Sequence, residues 1–467
     1  MKKGWISFMA LMACAAMLAG LTGCTDTTSV GDPQNVPTYE DNKELVLFAD
    51  GPPPAGEEEL VADYFNAGFN TFVLTEDSQA LTVNGAINPD YLAAAELISQ
   101  YGKVLYRNQT NYPHNWNNPT DAEVEIYGGV TQTIPARVIT NELNNTGNVL
   151  GYYQADEPSY EQIDKLLPLV EWHNQNCTDE LFHVNLFPSY ATTKLLGGSY
   201  AGYIQHYVDT ILAKVNGYKT LSMDHYPLKK SNNGNFLNNS YLFDLLTVAT
   251  IAKTYNNTPG ITSPITVGYC IQVFDDTAIR DIECQADIDL QANVCLAMGA
   301  KELEYFLYRD ILHMIGMVED GTFKHYNKYD FVKNTNEYLQ KWDHVILSFD
   351  WEGVYMQLGE DKTAADSAFR MVKDMTLQKL EGVSAMQCRL DTVVGQFKDE
   401  NGNKGYMTVN YTEPTEGGVD IVRMTFEGDW THAVVWQNGE QSILPLTDAT
   451  VELTLPAGGA AFVIPCK

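Results

Sequence analysis

The sequence predicts a (β/α)8 barrel followed by a small all-β sandwich. Eight short apolar runs alternate with amphipathic helical patterns between residues 44 and 308, the size and rhythm of a parallel-stranded barrel. No glycine-rich phosphate loop follows the first run; Asp50-Gly51-Pro52-Pro53-Pro54 stands there instead. That segment is too stiff and too poor in free amides to cradle a pyrophosphate, which argues against an open doubly wound sheet. From Gly382 onward apolar and polar residues alternate between tight-turn pairs, the mark of antiparallel strands.

Glu44–Ala49 reads as the first buried strand, Glu57–Asn66 as a helix and Phe69–Leu74 as the second strand. Asn88 as N-cap with Pro89 at the first helical position opens a helix that runs through Tyr101 and stops at Gly102, because proline suits an unbonded first turn and glycine ends one. Strand three is Lys103–Tyr106, and strand four, Val149–Gln154, runs into Ala155-Asp156-Glu157-Pro158. Ser159 and Gln162 have the spacing of a capping box, ahead of a helix with Ile163, Leu166, Leu167 and Val170 on one face. Strand five is Leu181–Leu186, and its helix carries Ile204, Val208, Ile211, Leu212 and Val215 as far as Gly217. Thr220–Met223, Ile265–Val273 and Leu303–Tyr308 complete the eight, the last preceded by a helix over 286–298. Helical patterns at Phe331–Ile346 and Ala364–Met375 close the barrel domain, expected over 43–375. The sandwich, expected over 376–467, includes Val419–Phe426 and Val451–Leu455, with Asn401-Gly402 and Asn438-Gly439 suited to hairpins.

The chain has 60 acids against 29 Lys+Arg, a formal charge of −31. Such a surface repels phosphate backbones and anionic bilayers, which excludes nucleic acid as a partner on charge alone. With 45% hydrophobic and 11% aromatic residues the chain buries a large core, so acidity-driven disorder is excluded too.

Lys2 and Lys3 precede an uncharged stretch from Gly4 to Leu21 and then Leu21-Thr22-Gly23-Cys24. This resembles a bacterial lipoprotein signal with its lipobox. The resemblance implies export, removal of residues 1–23, lipidation of Cys24 and a flexible tether over 24–42, so that the membrane is met only through the lipid. Loss of two lysines takes the formal charge from −31 to −33. Cys177, Cys270, Cys284, Cys295, Cys388 and Cys466 remain, without a C-x-x-C pair or companion histidines, so no zinc site or other cofactor is expected. Disulfides are permitted outside the cytoplasm, and their pairing is open.

In a barrel, chemistry gathers where the carboxyl ends of the strands share one mouth. Those ends carry Asp50; Glu76 and Asp77; Arg107, Asn108 and Gln109; Asp156 and Glu157; Asn185; Asp224, His225 and Tyr226; Gln272; and Tyr308. Tyr112, His114 and Trp116 lie on the loop after strand three. Acids, amides and aromatics together suit a sugar: rings stack on its C–H face, and amides bind its hydroxyls. Glycosidic cleavage needs one carboxylic acid to protonate the leaving oxygen and a second carboxylate as nucleophile or base. Glu157 is the candidate acid, Asp224 or Asp156 the second carboxylate. Asp50, Asn108, Trp116, Asn185, His225, Tyr226, Gln272 and Tyr308 are candidate sugar-binding residues. The same acidity disfavours sulfated or uronic glycans and points to a neutral oligo- or polysaccharide.

Gly151-Tyr-Tyr-Gln-Ala-Asp-Glu-Pro158, Asn185-Leu-Phe-Pro188, Asp224-His-Tyr-Pro227 and Glu304-Tyr-Phe-Leu-Tyr308 resemble motifs of lipid-anchored barrel glycoside hydrolases similar to glycoside hydrolase family 42. The likeness spans about residues 45 to 310. It implies an acid/base glutamate at the end of strand four, matched by Glu157, and a nucleophilic glutamate at the end of strand seven. Tyr269-Cys-Ile-Gln-Val-Phe274 offers Gln272 there, followed by Asp275 and Asp276. The adjacent Asp156-Glu157 pair is also similar to the Asp-Glu of glycoside hydrolase family 123, N-acetylhexosaminidases whose substrate acetamide is the nucleophile. A non-catalytic carbohydrate-binding lipoprotein is the third reading. Gly197-Gly-Ser-Tyr-Ala201 only approximates a serine nucleophile elbow: no strand precedes it, and Ser199 reads better as a helix start.

Overall fold

The computed structural model describes residues 33, 35–75, 82–83, 86–107, 145, 147–177, 179–228, 240–277, 279–360, 363, 368–415 and 417–467. All eight expected strands are present: β1 Val46–Ala49, β2 Thr71–Thr75, β3 Lys103–Arg107, β4 Val149–Asp156, β5 Leu181–Leu186, β6 Thr220–Asp224, β7 Thr266–Gln272 and β8 Glu302–Phe306. They form one parallel sheet in the order β1-β8-β7-β6-β5-β4-β3-β2. The seam between β1 and β2 is bridged by Asn70. Its backbone N–H donates to Leu47 O (3.1 Å), its Oδ1 accepts the Leu47 N–H (2.9 Å) and its Nδ2 donates to Leu45 O (2.6 Å). One side-chain amide thus stands in for a peptide unit where the sheet curls onto itself.

Helices lie between the strands, and the sequence reading does not name the one between β6 and β7, which is buried on most of its faces from Tyr241 to Ala252 and so shows no single apolar stripe. The helices are α1 Glu58–Asn66, α2 Pro89–Ile98, α3 Tyr160–Ile163, α4 Leu167–Asn176, α5 Tyr200–Thr210, α6 Tyr241–Asn256, α7 Gln285–Ala297, α8 Asn327–Gln340 and α9 Asp343–Ile346. Asn88 caps α2 by accepting the Asp90 N–H, Ser159 and Gln162 form the capping box of α3, and Ser199 caps α5. Among the described residues no helix is long and apolar enough to cross a membrane.

Strand alternation divides each strand between two environments. Leu47, Phe72, Tyr106, Tyr152, Val184, Leu221, Met223, Ile271, Leu303 and Tyr305 face the helices and join the main core. Val46, Phe48, Val73, Leu105, Leu150, Tyr153 and Leu181 face inward and plug one side of the barrel. The other side, on β5 to β8, is polar: His183, Asn185, Ser222, Asp224, Glu302 and Glu304 are all buried there. Gly268 of β7 makes room for this set, because a Cβ at that position would stand 2.7 Å from Glu302 Oε1.

The C-terminal part is a two-sheet antiparallel sandwich. Its strands are β9 Phe349–Gln357, β10 Val383–Gln387, β11 Thr392–Asp399, β12 Lys404–Asn410, β13 Val419–Phe426, β14 His432–Gln437, β15 Glu440–Pro445, β16 Thr450–Pro456 and β17 Ala460–Cys466. The sheets run β9-β11-β12-β17-β14-β15 and β10-β13-β16 around a core that includes Val394, Tyr406, Val422, Met424, Leu453 and Val463. Asn438 and Gly439 both have positive φ at the β14–β15 turn, as a two-residue hairpin requires.

Two segments differ from the sequence reading. β9 supplies an edge strand to the larger sheet ahead of residue 376; a register shift between Trp351 and Gly353 interrupts its alternation, so its pattern does not read as a strand. The helix expected over 364–375 is represented among the described residues by a 3-10 turn, Ala368–Met371. Among the described residues of that span, Phe369 and Val372 are the buried ones. Residues expected in the tether are also packed: Val36 and Tyr39 lie on the core, and the Tyr39 hydroxyl donates to Asp399 at 3.2 Å. The signal segment and Cys24 lie outside the described residues.

Replacing Asn70 with Ala strands a buried N–H and a buried carbonyl at the seam. Chemical denaturation should show a loss of about 2–4 kcal/mol; a loss below about 0.5 kcal/mol would mean that the seam does not depend on this amide.

Candidate active site

Arg107 organises the mouth. The last residue of β3, it is buried and forks between two carboxylates, Nη1 to Asp50 Oδ1 and Nη2 to Asp156 Oδ2, both at 2.7 Å. Its guanidinium lies 4.3 Å from the centroid of the Tyr153 ring. Asp50 also accepts the Gly51 N–H at 2.9 Å. Asp156, at the end of β4, accepts further hydrogen bonds at Oδ1 from Tyr153 OH (3.2 Å) and Asn185 Nδ2 (3.3 Å). Donors from three successive strands therefore hold this carboxylate.

Glu157 leaves β4 with φ +49°, a left-handed backbone that costs a non-glycine residue about 1 kcal/mol or more. Its N–H donates to Asn185 O at 2.8 Å, and the rigid Pro158 follows. In a regular strand the residue after Asp156 would turn to the opposite face; the left-handed step breaks that alternation. The Glu157 carboxyl is pushed up to about 7, first by burial and then by the negative charge of Asp156. Asp224, at the inward face of the β6 terminus, is buried and held well above the usual carboxylate range by burial, then by the charges of Glu157 and Asp156.

Tyr226 builds an aromatic wall, its ring centroid 4.9 Å from Phe274 and 5.5 Å from Phe306. Tyr190, which the sequence reading overlooked, is 50% exposed beside it. Its ring meets His225 edge-on at 5.0 Å, its hydroxyl accepts the Tyr226 N–H at 3.4 Å, and the charges of Asp224 and Glu157 help raise that hydroxyl. The overlooked acid is Glu304 of β8. In register it stands beside Cys270, which in turn stands beside Asp224. Burial, then the charges of Asp50 and Asp156, hold it well above its ordinary value. Two glutamates alternating with Leu303 and Tyr305 in a buried strand were the available signal.

Three proposed binders sit elsewhere in the network. Gln272 is fully buried; its Oε1 accepts the Leu228 N–H at 3.0 Å and its Nε2 donates to Arg280 O at 3.4 Å, which makes it a strut between loops. Tyr308 is buried against Tyr64 and donates to Asp63 at 3.2 Å, behind the sheet and not in the mouth. His225 is strapped through Nδ1 to Asp244 Oδ2 at 2.7 Å, and Asp244 also accepts the Ser189 N–H at 2.9 Å. Neither acid after β7 replaces the missing glutamate: Asp275 pairs with Lys328 and accepts the Ile282 N–H at 2.8 Å, and Asp276 pairs with His313 at 2.7 Å. Asn108 and Trp116 lie outside the described residues, as do Glu76, Asp77, Gln109, Tyr112 and His114. Among the described residues no group of three or more His, Cys, Asp or Glu is arranged to hold a metal ion.

No family model matches the sequence, and no curated relative matches it either. Solved structures similar to the chain include a xylanase of glycoside hydrolase family 30 subfamily 8 from Clostridium acetobutylicum, at 10% identity and a TM-score of 0.44, covering 91% of this chain and 97% of the other. An Anoxybacillus alpha-amylase is similar at 12% identity and a TM-score of 0.44, covering 92% and 99%. Saccharomyces cerevisiae Gas2p in complex with laminaritetraose and laminaripentaose is similar at 10% identity and a TM-score of 0.40, covering 63% of each chain.

The raised Glu157 carboxyl has a sign that stability can report. Because its folded value of about 7 exceeds the unfolded one, the folded state holds the proton more tightly, and that advantage is lost as pH rises through the neutral range. Glu157→Gln should therefore melt like the parent near pH 4 and be more stable near pH 8, by about 1–3 kcal/mol. A gap that does not change with pH would show the carboxyl to be solvated.

Proposed function

We propose that the protein is a glycoside hydrolase in which Glu157 is the general acid/base. The observation that carries this reading is a mouth glutamate pushed up to about 7 next to a carboxylate gripped by three donors. A carboxyl that keeps its proton near neutrality can deliver it to a leaving glycosidic oxygen and take one back from water afterwards. The second carboxylate is better assigned to Asp156 than to Asp224. Burial, then the charges of Glu157 and Asp156, hold Asp224 well above the usual carboxylate range and disfavour the ionised form that a nucleophile or base needs, whereas Asp156 faces the Arg107 guanidinium.

Asp156 can serve in two ways. As a base, it takes a proton from the attacking water while Glu157 protonates the leaving group. In a substrate-assisted reaction, an acetamido oxygen attacks the anomeric carbon and Asp156 orients the acetamide N–H. Tyr226 and Tyr190 present ring faces for sugar stacking, and the surplus of acids selects glycans without acidic groups. Export and lipid attachment at Cys24 belong to the same proposal, and Cys24→Ser should move the protein from the membrane to the soluble fraction.

Reducing-end release from a panel of oligosaccharides tests the activity. Glu157→Gln should lower kcat on the order of 10²–10⁴-fold, and the parent's kcat/KM should fall as pH rises through about 7, where the acid loses its proton. Asp156→Asn should cost activity comparably. On a glycan without an amino group, Asp224→Asn should cost far less in kcat; equal losses of kcat at 156 and 224 would restore Asp224 as the partner. Sugar binding without release of reducing ends by the parent protein would leave only a binding protein.

A further inference from the structure

The mouth holds more unanswered acceptors than hydrolysis of a neutral glycan uses. Asn185, Asp224 and Glu304 are exposed by only 4%, 4% and 2%, and Asn185 Oδ1, Asp224 Oδ1 and Glu304 Oε2 have no hydrogen-bond partner. All three side chains face the barrel interior: Val184 and Leu186 on either side of Asn185, Leu303 and Tyr305 on either side of Glu304, and Leu221 and Met223, which alternate with Ser222 and Asp224, join the outer core. Asn185 has spent its Nδ2 on Asp156, so its remaining atom can only accept. Glu304 Oε2 has His183 Nε2 at 3.9 Å, beyond a hydrogen bond. Among the described residues, Arg107 is the only lysine or arginine ion-paired to the mouth acids, and Asp50 and Asp156 already share it.

Building on the hydrolase reading in which Asp156 is the base and no acetamide takes part, we propose that the mouth receives a sugar carrying a protonated amino group, with Asn185, Asp224 and Glu304 as its acceptors. An ammonium brings three donors, no acceptor and a positive charge, and Arg107, already shared by Asp50 and Asp156, is not free to face Asp224 and Glu304. A hydroxyl brings one donor and two lone pairs, and an acetamide adds a carbonyl that would face other acceptors. Burial pushes the Asp224 and Glu304 carboxyls up, and a cation beside them favours their ionised forms. Tyr226 and Tyr190 add ring faces on which a cationic sugar is favoured over a neutral one.

Calorimetry with the full chain, near pH 6 so that the amine is protonated, would compare glucosamine and galactosamine with glucose, galactose and N-acetylglucosamine. An amino sugar should bind about tenfold tighter or better than its neutral counterpart, and Asp224→Asn and Glu304→Gln should each collapse that ratio towards unity. Should either variant fail to fold, the comparison on the parent protein decides alone. Amino sugars that bind no tighter than neutral ones overturn the inference, and if neutral glycans are then still cleaved in a Glu157-dependent way the hydrolase reading survives. Selective amine binding without cleavage of any glycan upholds the amine site and removes the hydrolase reading.

Discussion

The buried Arg107 fork is the constraint on which the mouth depends. A guanidinium cannot give up its proton, so its burial at the end of β3 requires carboxylates on both sides, and Asp50 and Asp156 at 2.7 Å supply them. The fork ties β1, β3 and β4 together at the end where chemistry takes place. It also fixes Asp156 beside Glu157, and that charge, added to burial, brings the Glu157 carboxyl into the neutral range. Fold closure and proton chemistry therefore share one interaction.

The barrel interior extends the same logic downward. On β1 to β4 an apolar plug fills the space, while β5 to β8 hold buried acids and His183 with few partners. Such a half-satisfied polar interior is a poor way to stabilise a fold, and sites that violate packing rules are where function concentrates. The left-handed backbone at Glu157 belongs with it, since strain there persists only because the surrounding strands over-determine the position.

The sandwich helps supply that rigidity. Trp351 donates to Ala297 O at 3.0 Å, Asn293 of α7 donates to Gly458 O at 3.0 Å, and a Cβ at Gly395 would stand 2.2 Å from Ala297 O. Sandwich strands and turns therefore press directly on the helix between β7 and β8, behind the strands that carry Gln272 and Glu304. Gln291 of the same helix bonds both the N–H (3.0 Å) and the carbonyl (3.1 Å) of Gln272.

The sequence by itself determined the eight strands, most of the helices between them, the caps at Asn88, Ser159 and Ser199, and the candidacy of Asp156, Glu157 and Asp224. Each rests on local physics: apolar periodicity, capping chemistry, and a chain that brings strand ends to one rim. Only the tertiary structure decided which strand-end residues share the mouth. Gln272 and Tyr308 are polar in sequence but committed to other loops and helices, because the inward or outward face of a residue at a strand end depends on bulges and positive-φ steps that hydropathy does not encode. Glu304 was hidden for the converse reason: its strand reads as core, and only register places its carboxyl in one row with Cys270 and Asp224. The upward shifts of Glu157, Asp224 and Glu304 were likewise decided by burial and neighbouring charge, which arise only when β4, β6 and β8 close around the same space.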